Sequence, residues 1–250
     1  MTITTHSLID QEEQEEQERK EPEAVSTGAR ASRARSQRGQ PPHETLMQML
    51  RTQTHAHHRR LETSLDLMRT GMTLDDYAAV LRGFYGFIAP WEESARARMP
   101  ATLVTAFDAR RKTGALRDDL RALTRRGVGE SEVRGLSLPA FESTAESTAA
   151  WLGSWYVIEG STLGGQILAP HFAARFGLTP ESGVRYFDGY GPRTGSMWNA
   201  FRALLVETVE PAAYGTAVDG ARRTFTRLHD WMIEIGVARD ASAETTQGAG

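Results

Sequence analysis

Apolar side chains recur along most of this chain at the spacing of a helical face, and the alternation typical of half-buried strands is nearly absent. The first such stretch runs from Glu44 to Met68 and keeps its leucines on one face. Further helical patterns follow over 77–88, 91–98, 101–124, 140–175, 194–209 and 212–236. The sequence therefore predicts an all-α fold.

Local signals predict where these helices begin and end. Thr73 is placed as the N-cap of the second helix, because its hydroxyl can accept a free N–H of the first turn. Pro90 is predicted to end or kink that helix, since proline lacks an N–H and its ring crowds the preceding turn. Further breaks are expected at Pro100, 127–129, Pro180 and 189–191.

Residues 1–42 differ in composition from the rest, with a Glu/Gln run followed by a stretch rich in Arg, Ser, Ala and Gly. They have almost nothing apolar to bury, so the entropy cost of ordering them would go uncompensated. We predict a disordered charged tail over 1–42, the alternative being a charged docking arm. Residues 43–238 show no repeat and no second core, which predicts one helical domain followed by a flexible tail over 239–250.

The composition excludes several classes of site. The chain has no cysteine, which rules out disulfides, thiolate haem ligation, iron–sulfur clusters and cysteine zinc sites. A net charge of −3 provides no global positive field for nucleic acid or acidic lipid. The N-terminus lacks a secretory signal, and no apolar stretch approaches the roughly 20 residues of a membrane span. We therefore expect a cytoplasmic protein that binds neither nucleic acid nor membrane.

Three histidines crowd one turn of the first helix. At about 100° per residue, His57 points near the middle of the apolar stripe, His58 lies on its flank and His55 faces away. A histidine on an apolar face is commonly a hydrogen-bonded core residue. The alternative is a metal ligand, and His58 has Glu62 four residues later, where a carboxylate could accept the Nδ1 proton and leave Nε2 for a metal. Both interpretations stay open on this segment alone.

A second unusual segment spans 151–168, where Gly160, Gly164 and Gly165 interrupt a sequence otherwise suited to a helix. Each glycine costs about 1 kcal/mol relative to alanine inside a helix, so the cluster implies another demand on the backbone. One such demand is the close approach of a flat ligand. The other is tight helix–helix packing at Gly160 and Gly164.

Together and in this order, a first helix ending T-x-x-x-H-x-x-L-E and a later helix reading G-S-T-L-G-G-Q resemble haem oxygenases, especially the bacterial ones encoded beside phytochromes. The similarity extends through 77–92 and 187–201. The resemblance implies a single multi-helical domain with haem sandwiched between the first helix and the glycine-rich distal helix.

The resemblance also implies which residues bind haem. His58 matches the proximal histidine that ligates iron, and Glu62 matches its hydrogen-bonding partner, which overrules the helical-wheel preference for the neighbouring histidine. Arg51 matches a basic position that meets the haem propionates, the alternative being an ordinary solvated arginine. We also expect Trp155 and Tyr156, just before the first distal glycine, to contact the haem.

On the catalytic side, Gly160, Gly164 and Gly165 match the distal glycines, whose bare backbone can lie against the porphyrin face. Ser161 stands where the mammalian members place an aspartate that organises the water feeding protons to the reaction, and Asn199 stands at a later basic position. Proton delivery and part of the propionate anchoring therefore need other groups. The candidates are Arg193, Arg202 and Tyr190.

The resemblance implies that haem is both cofactor and substrate, and that dioxygen and electrons from an external ferredoxin or flavoprotein reductase convert it to biliverdin, carbon monoxide and ferrous iron. A bacteriophytochrome is the candidate acceptor of the biliverdin. Two alternatives remain. One is a haem carrier or sensor without catalysis, motivated by Ser161. The other is an unrelated small-molecule enzyme on the same scaffold.

Overall fold

The computed structural model describes residues 45–128 and 147–239, and all regular structure within these ranges is helical. The α-helices in chain order are α1 (Leu46–Leu65), α2 (Leu74–Arg98), α3 (Ala101–Asp108), α4 (Thr113–Arg125), α5 (Thr148–Phe176), α6 (Arg185–Asp188), α7 (Thr194–Thr208) and α8 (Tyr214–Glu234). A π-type turn (Pro180–Val184) and two 3-10 turns (Gly191–Arg193 and Pro211–Ala213) connect them. The predicted all-α fold is confirmed. The two predicted tails fall almost entirely outside the described residues.

The long helix α5 packs most extensively against α8, and α1 packs against α8 as well. Two glycines bring the α5 and α8 backbones together. A Cβ added at Gly153 would lie well under 3.0 Å from the carbonyl oxygen of Ala217, and one at Gly220 would meet that of Ala150. These contacts leave no room for a side chain, so the two helices cross backbone to backbone. None of the helices in the described ranges combines the length and apolar character needed to cross a membrane.

The ends of α1 and the start of α2 follow from local caps. The Thr45 hydroxyl accepts the N–H of Gln48 at the start of α1. Helix α1 ends at Leu65, three residues before the predicted end, because Asp66 adopts a left-handed backbone with φ 39° that stops the helical ladder. Thr73 caps α2 as predicted, accepting an N–H at 3.1 Å.

Pro90 does not end the second helix, and the prediction that a separate helix begins at residue 91 was wrong. Helix α2 runs through Pro90 to Arg98. A proline inside a helix costs about 3 kcal/mol. The continuous helix keeps Phe87 and Trp91, on either side of the proline, fully buried, and their burial offsets this cost.

The single helix predicted over 101–124 is in fact two helices, α3 and α4, separated by a short turn. A carboxylate from α2 holds that turn. Glu92 is buried and accepts the backbone N–H groups of Lys112 and, at 3.3 Å, of Thr113 at the start of α4. Apolar periodicity does not reveal such a cap, because the capping group lies twenty residues earlier in the chain.

Asp119 of α4 holds the start of α6. Its Oδ1 accepts the Arg185 N–H at 2.9 Å, and its Oδ2 accepts the Tyr186 N–H at 2.7 Å. Burial raises the pKa of Asp119 to about 7, while these two N–H groups and the Arg185 charge act in the opposite direction. The pairing determines where Tyr186 and Phe187 enter the cavity described below.

We expect Asp119→Ala to lower the free energy of unfolding by about 2–4 kcal/mol, because it leaves two backbone N–H groups at the buried start of α6 without an acceptor. Urea denaturation followed by circular dichroism measures the loss. The neighbouring Asp118→Ala is the matched control. The Asp118 side chain is exposed and its ion pair with Arg185 is long, at 3.9 Å, so this variant should change the free energy of unfolding by no more than about 0.5 kcal/mol. Equal losses in the two variants would contradict the assigned role of Asp119.

Candidate functional site

Helices α1 and α5 both line one cavity of about 570 Å³. This volume lies in the range typical of small-molecule and cofactor sites. The predicted site residues that line it are Arg51, His58, Glu62, Tyr156, Gly160, Ser161 and Gly164. The two segments that stood out in the sequence therefore come together in the fold.

The cavity lies along the flank of the α1 apolar stripe, about 100° from its middle. His58 lines it, and so does His55, which the helical wheel had placed on the far side. His57, nearest the middle of the stripe, does not line it, and its Nδ1 is buried without a hydrogen-bond partner. The His58 ring packs edge-on against Phe225 of α8, with ring centroids 5.5 Å apart. The buried residues Thr54, Leu61 and Leu65 also line the cavity, which therefore begins at one edge of the stripe.

Glu62 lies beside His58 as expected for a helical i, i+4 pair. The closest atoms are His58 Nε2 and Glu62 Oε1, 3.8 Å apart, whereas the sequence argument had assigned the contact to Nδ1. The other carboxylate oxygen, Oε2, is buried without a hydrogen-bond partner. Burial raises the pKa of Glu62 to about 7, and the nearby Arg59 charge partly opposes this shift. The carboxyl group therefore has unused capacity to accept a proton donor inside the cavity.

Two arginines of α1, Arg51 and Arg59, line the same cavity and are exposed. Guanidinium groups pair well with carboxylates because they donate two parallel hydrogen bonds. The solvent edge of the cavity therefore suits the acidic end of a ligand.

The glycines of α5 divide into two kinds. Gly160 and Gly164 line the cavity. A Cβ at Gly160 would meet only the Trp198 ring, at 3.8 Å, so close packing between helices does not require a glycine there. Gly165 faces the other way, where a Cβ would overlap the carbonyl oxygen of Phe187. On this helix, Gly160 and Gly164 leave bare backbone toward the cavity, whereas Gly165 allows tight packing between backbones.

Trp155 does not line the cavity, in contrast to Tyr156. Trp155 is only 1% exposed and packs among core aromatic rings, 5.1 Å from Phe107 and 4.9 Å from Phe201 between centroids. Adjacent residues on a helix point about 100° apart, and here that rotation turns Trp155 into the core and Tyr156 toward the cavity.

Tyr186 and Phe187 of α6 and Trp198 of α7 also line the cavity, and the sequence reasoning missed them. The Ser161 hydroxyl donates to the Ile158 carbonyl at 2.7 Å and lies close enough to the Tyr186 hydroxyl to influence its pKa. Burial raises the pKa of Tyr186, which keeps its hydroxyl protonated. The only signal for these residues was their place in or beside the segment 187–201.

The groups considered as substitutes for the missing aspartate lie elsewhere. None of Tyr190, Arg193 and Arg202 lines the cavity, and neither does Asn199, which stands at the later basic position. The Tyr190 hydroxyl donates to the carboxylate of Glu159 at 2.8 Å on the opposite face of α5. Ser161, the residue after Gly160, and Tyr186 of α6 both carry a hydroxyl and do line the cavity.

The chain matches the family model for heme oxygenase over residues 44–234. A heme oxygenase of Xanthomonas campestris pv. campestris (strain 8004) is 32% identical over 157 residues, which make up 62% of this chain and 87% of that protein. The fold is similar to that of the Neisseria meningitidis heme oxygenase with NO and CO bound (TM-score 0.64, 24% identity, 79% of this chain and 95% of that chain). It is also similar to that of the Leptospira interrogans heme oxygenase (TM-score 0.59, 19% identity, 76% of this chain and 99% of that chain). Since the family match spans most of its length, this chain belongs to the heme oxygenase family.

Proposed function

We propose that this protein is a haem oxygenase that opens haem to biliverdin, carbon monoxide and ferrous iron, using dioxygen and electrons from an external ferredoxin or flavoprotein reductase. Membership of the family supports the reaction class. The observation that supports it best is the cavity, which is lined by the imidazole of His58 from α1 and by the bare backbone of Gly160 and Gly164 from α5. A bacteriophytochrome is the proposed acceptor of the product.

The residues of α1 fit a bound haem. His58 would hold the iron through a ring nitrogen, which agrees with a chain that has no cysteine ligand to offer. Glu62 has a buried carboxylate oxygen without a partner and would accept the other ring N–H, fixing the tautomer and orientation of the imidazole. Arg51 and Arg59, at the solvent edge, would pair with the propionates.

When bound, haem supplies the iron centre at which dioxygen is activated and the ring that is oxidised. The chain contributes the surroundings. Gly160 and Gly164 allow the α5 backbone to lie against a flat face, and apolar side chains of Val157 and Leu163 keep bulk water away from it. Ser161 and Tyr186 provide hydroxyl groups where the mammalian members have a carboxylate. We assign the positioning of the proton supply to the Tyr186 hydroxyl acting with Ser161.

The Tyr186→Phe variant should bind haem within about 3-fold of wild type and turn it over about 100-fold more slowly, the lower end of what a positioned proton donor contributes. Single-turnover absorbance measurements with a saturating reductant separate binding from chemistry. Tyr85→Phe is the control, because Tyr85 is half-buried and does not line the cavity. Similar slowing in both variants, or none in Tyr186→Phe, would remove Tyr186 from the proton path.

An optical titration with hemin, followed by ascorbate or a reduced ferredoxin system under air, tests the proposed function. A Soret band that forms and then decays into the broad red absorption of biliverdin establishes the oxygenase. A Soret band that persists under reductant and air indicates a haem carrier or sensor on the same fold. A protein that develops no Soret band does not bind haem, and the proposal fails.

A further inference from the structure

Helix α5 carries a fully buried carboxylate, that of Glu159, one residue before Gly160. The Glu159 side chain is 0% exposed and does not line the cavity. It accepts hydrogen bonds from Lys112 Nζ at 2.9 Å and from the Tyr190 hydroxyl at 2.8 Å, and Arg110 Nε lies 3.4 Å away. Burying an unpaired carboxylate costs several kcal/mol, so this set of partners is what allows the charge to remain inside.

The partners of Glu159 are buried as well. The side chains of Arg110 and Lys112 are 8% and 6% exposed, although arginine and lysine are rarely buried unless paired. Lys112 Nζ also donates to the Tyr190 hydroxyl at 2.6 Å and lies 4.2 Å from the centre of its ring. Burial lowers the pKa of Lys112, an effect that the Glu159 charge opposes. Burial and the Glu159 charge raise the pKa of Tyr190, so its hydroxyl remains a donor.

These partners come from parts of the chain that are distant in sequence. Lys112 lies 47 residues before Glu159, in the turn between α3 and α4, and Tyr190 lies 31 residues after it, ahead of α7. Arg110 also donates to the carbonyls of Ala106 and Met197, at 3.1 and 3.3 Å. The cluster therefore ties α5 to two other segments at the level of Gly160.

At Gly160 and Gly164 the cavity face of α5 has no side chain that could fix the position of the helix by packing. Contacts on the opposite face hold the helix at this level. Gly165 contributes a close backbone contact with Phe187. Glu159 contributes the directional ties, since charge-assisted hydrogen bonds are short and depend on geometry.

We infer that Glu159 is a positioning residue, and that its cluster with Arg110, Lys112 and Tyr190 sets the distance between the bare backbone of α5 and the molecule in the cavity. The inference deepens the proposed function, on which it rests only for the identity of that molecule. Glu159 acts on the reaction through the α5 backbone and does not touch the substrate.

A buried residue on the same helix separates positioning from general stability. Ser154 of α5 accepts hydrogen bonds from Trp91 Nε1 and the Thr224 hydroxyl, both at 2.7 Å, and does not line the cavity. The Ser154→Ala variant loses two buried polar contacts without touching the charge cluster. It is therefore the matched structural control for Glu159→Gln and Tyr190→Phe.

The first measurement is amide hydrogen exchange over residues 160–165 in the haem-free protein. Glu159→Gln and Tyr190→Phe should accelerate exchange there by about 10-fold, because the local opening of α5 becomes easier. Ser154→Ala should leave these amides within about 2-fold of wild type. Unchanged exchange in Glu159→Gln, or equal acceleration in Ser154→Ala, overturns the inference.

The second measurement is the azide affinity of the ferric haem complex, read from the shift of the Soret band. Glu159→Gln should change this affinity by about 5-fold or more, because a displaced α5 backbone would alter the space left for the anion, while Ser154→Ala should preserve it. Equal changes in the two variants overturn the positioning role. If the wild type forms no Soret band, the proposed function fails, whereas the exchange measurement still decides whether the cluster holds α5.

Discussion

Hemin added to the His58→Ala variant is expected to give no native Soret band, and turnover should fall by more than the roughly 10–100-fold that changes to outer-shell partners cost. His58 lines the cavity together with Glu62, which has one buried oxygen without a partner, and with the bare backbone of α5. The variant removes the proposed iron ligand while leaving the cavity walls in place. Absorbance spectra before and after reduction measure both effects, and added imidazole should restore the band.

Two neighbouring histidines serve as controls for this prediction. His57→Ala should keep the native band, because His57 does not line the cavity. His55→Ala is the sharper control, since His55 does line it. The residue four positions after His55 is Arg59, whose guanidinium cannot accept a ring proton, whereas His58 has the carboxylate of Glu62 at the same offset. A native band in His58→Ala together with its loss in His55→Ala would transfer the ligand role to His55.

The second large effect is expected in the scaffold. Gly220→Ala should lower the free energy of unfolding by about 3 kcal/mol, at the upper end of the cost of overpacking. The new Cβ would overlap the Ala150 carbonyl, and backbone cannot rotate away as a side chain can. Helices α5 and α8 would have to separate, and the gain in helix propensity, about 1 kcal/mol, offsets only part of the loss. Thermal and urea unfolding measure the difference.

Gly215→Ala provides the opposite case on the same helix. Nothing lies within 4 Å of a Cβ at this position, so the variant should be stabilised by up to about 1 kcal/mol. The same chemical change on α8 therefore has opposite signs at two positions five residues apart. Stabilisation in both variants would mean that α5 and α8 do not meet backbone to backbone.

Several features of the protein follow from the sequence alone, because their causes are local. The helical class follows from apolar spacing along each segment, and the start of α2 follows from the Thr73 hydroxyl and the N–H groups beside it. The two segments that line the cavity were recognisable because each broke a local rule. One placed histidines beside an apolar face, and the other placed Gly160 and Gly164 inside a helix.

Tertiary structure decided what depends on helix rotation and on distant partners. An apolar stripe specifies which face is buried but not what covers its flank, so the helical wheel favoured His57. The family motif favoured His58, and the fold shows that the cavity takes in His58 and leaves out His57. In the same way, only the fold separates Gly160, which faces the cavity, from Gly165, which packs against backbone.

The break between α3 and α4 and the cluster at Glu159 have the same origin. Glu92 caps a turn twenty residues away, and Lys112 and Tyr190 reach Glu159 across 47 and 31 residues. Sequence periodicity describes one helix at a time, whereas a buried charge is stable only when the fold brings its partners to it. The sequence by itself therefore determined the helical class and the family motif, and the packing of the helices decided which residues face the cavity and which hold the distal helix in place.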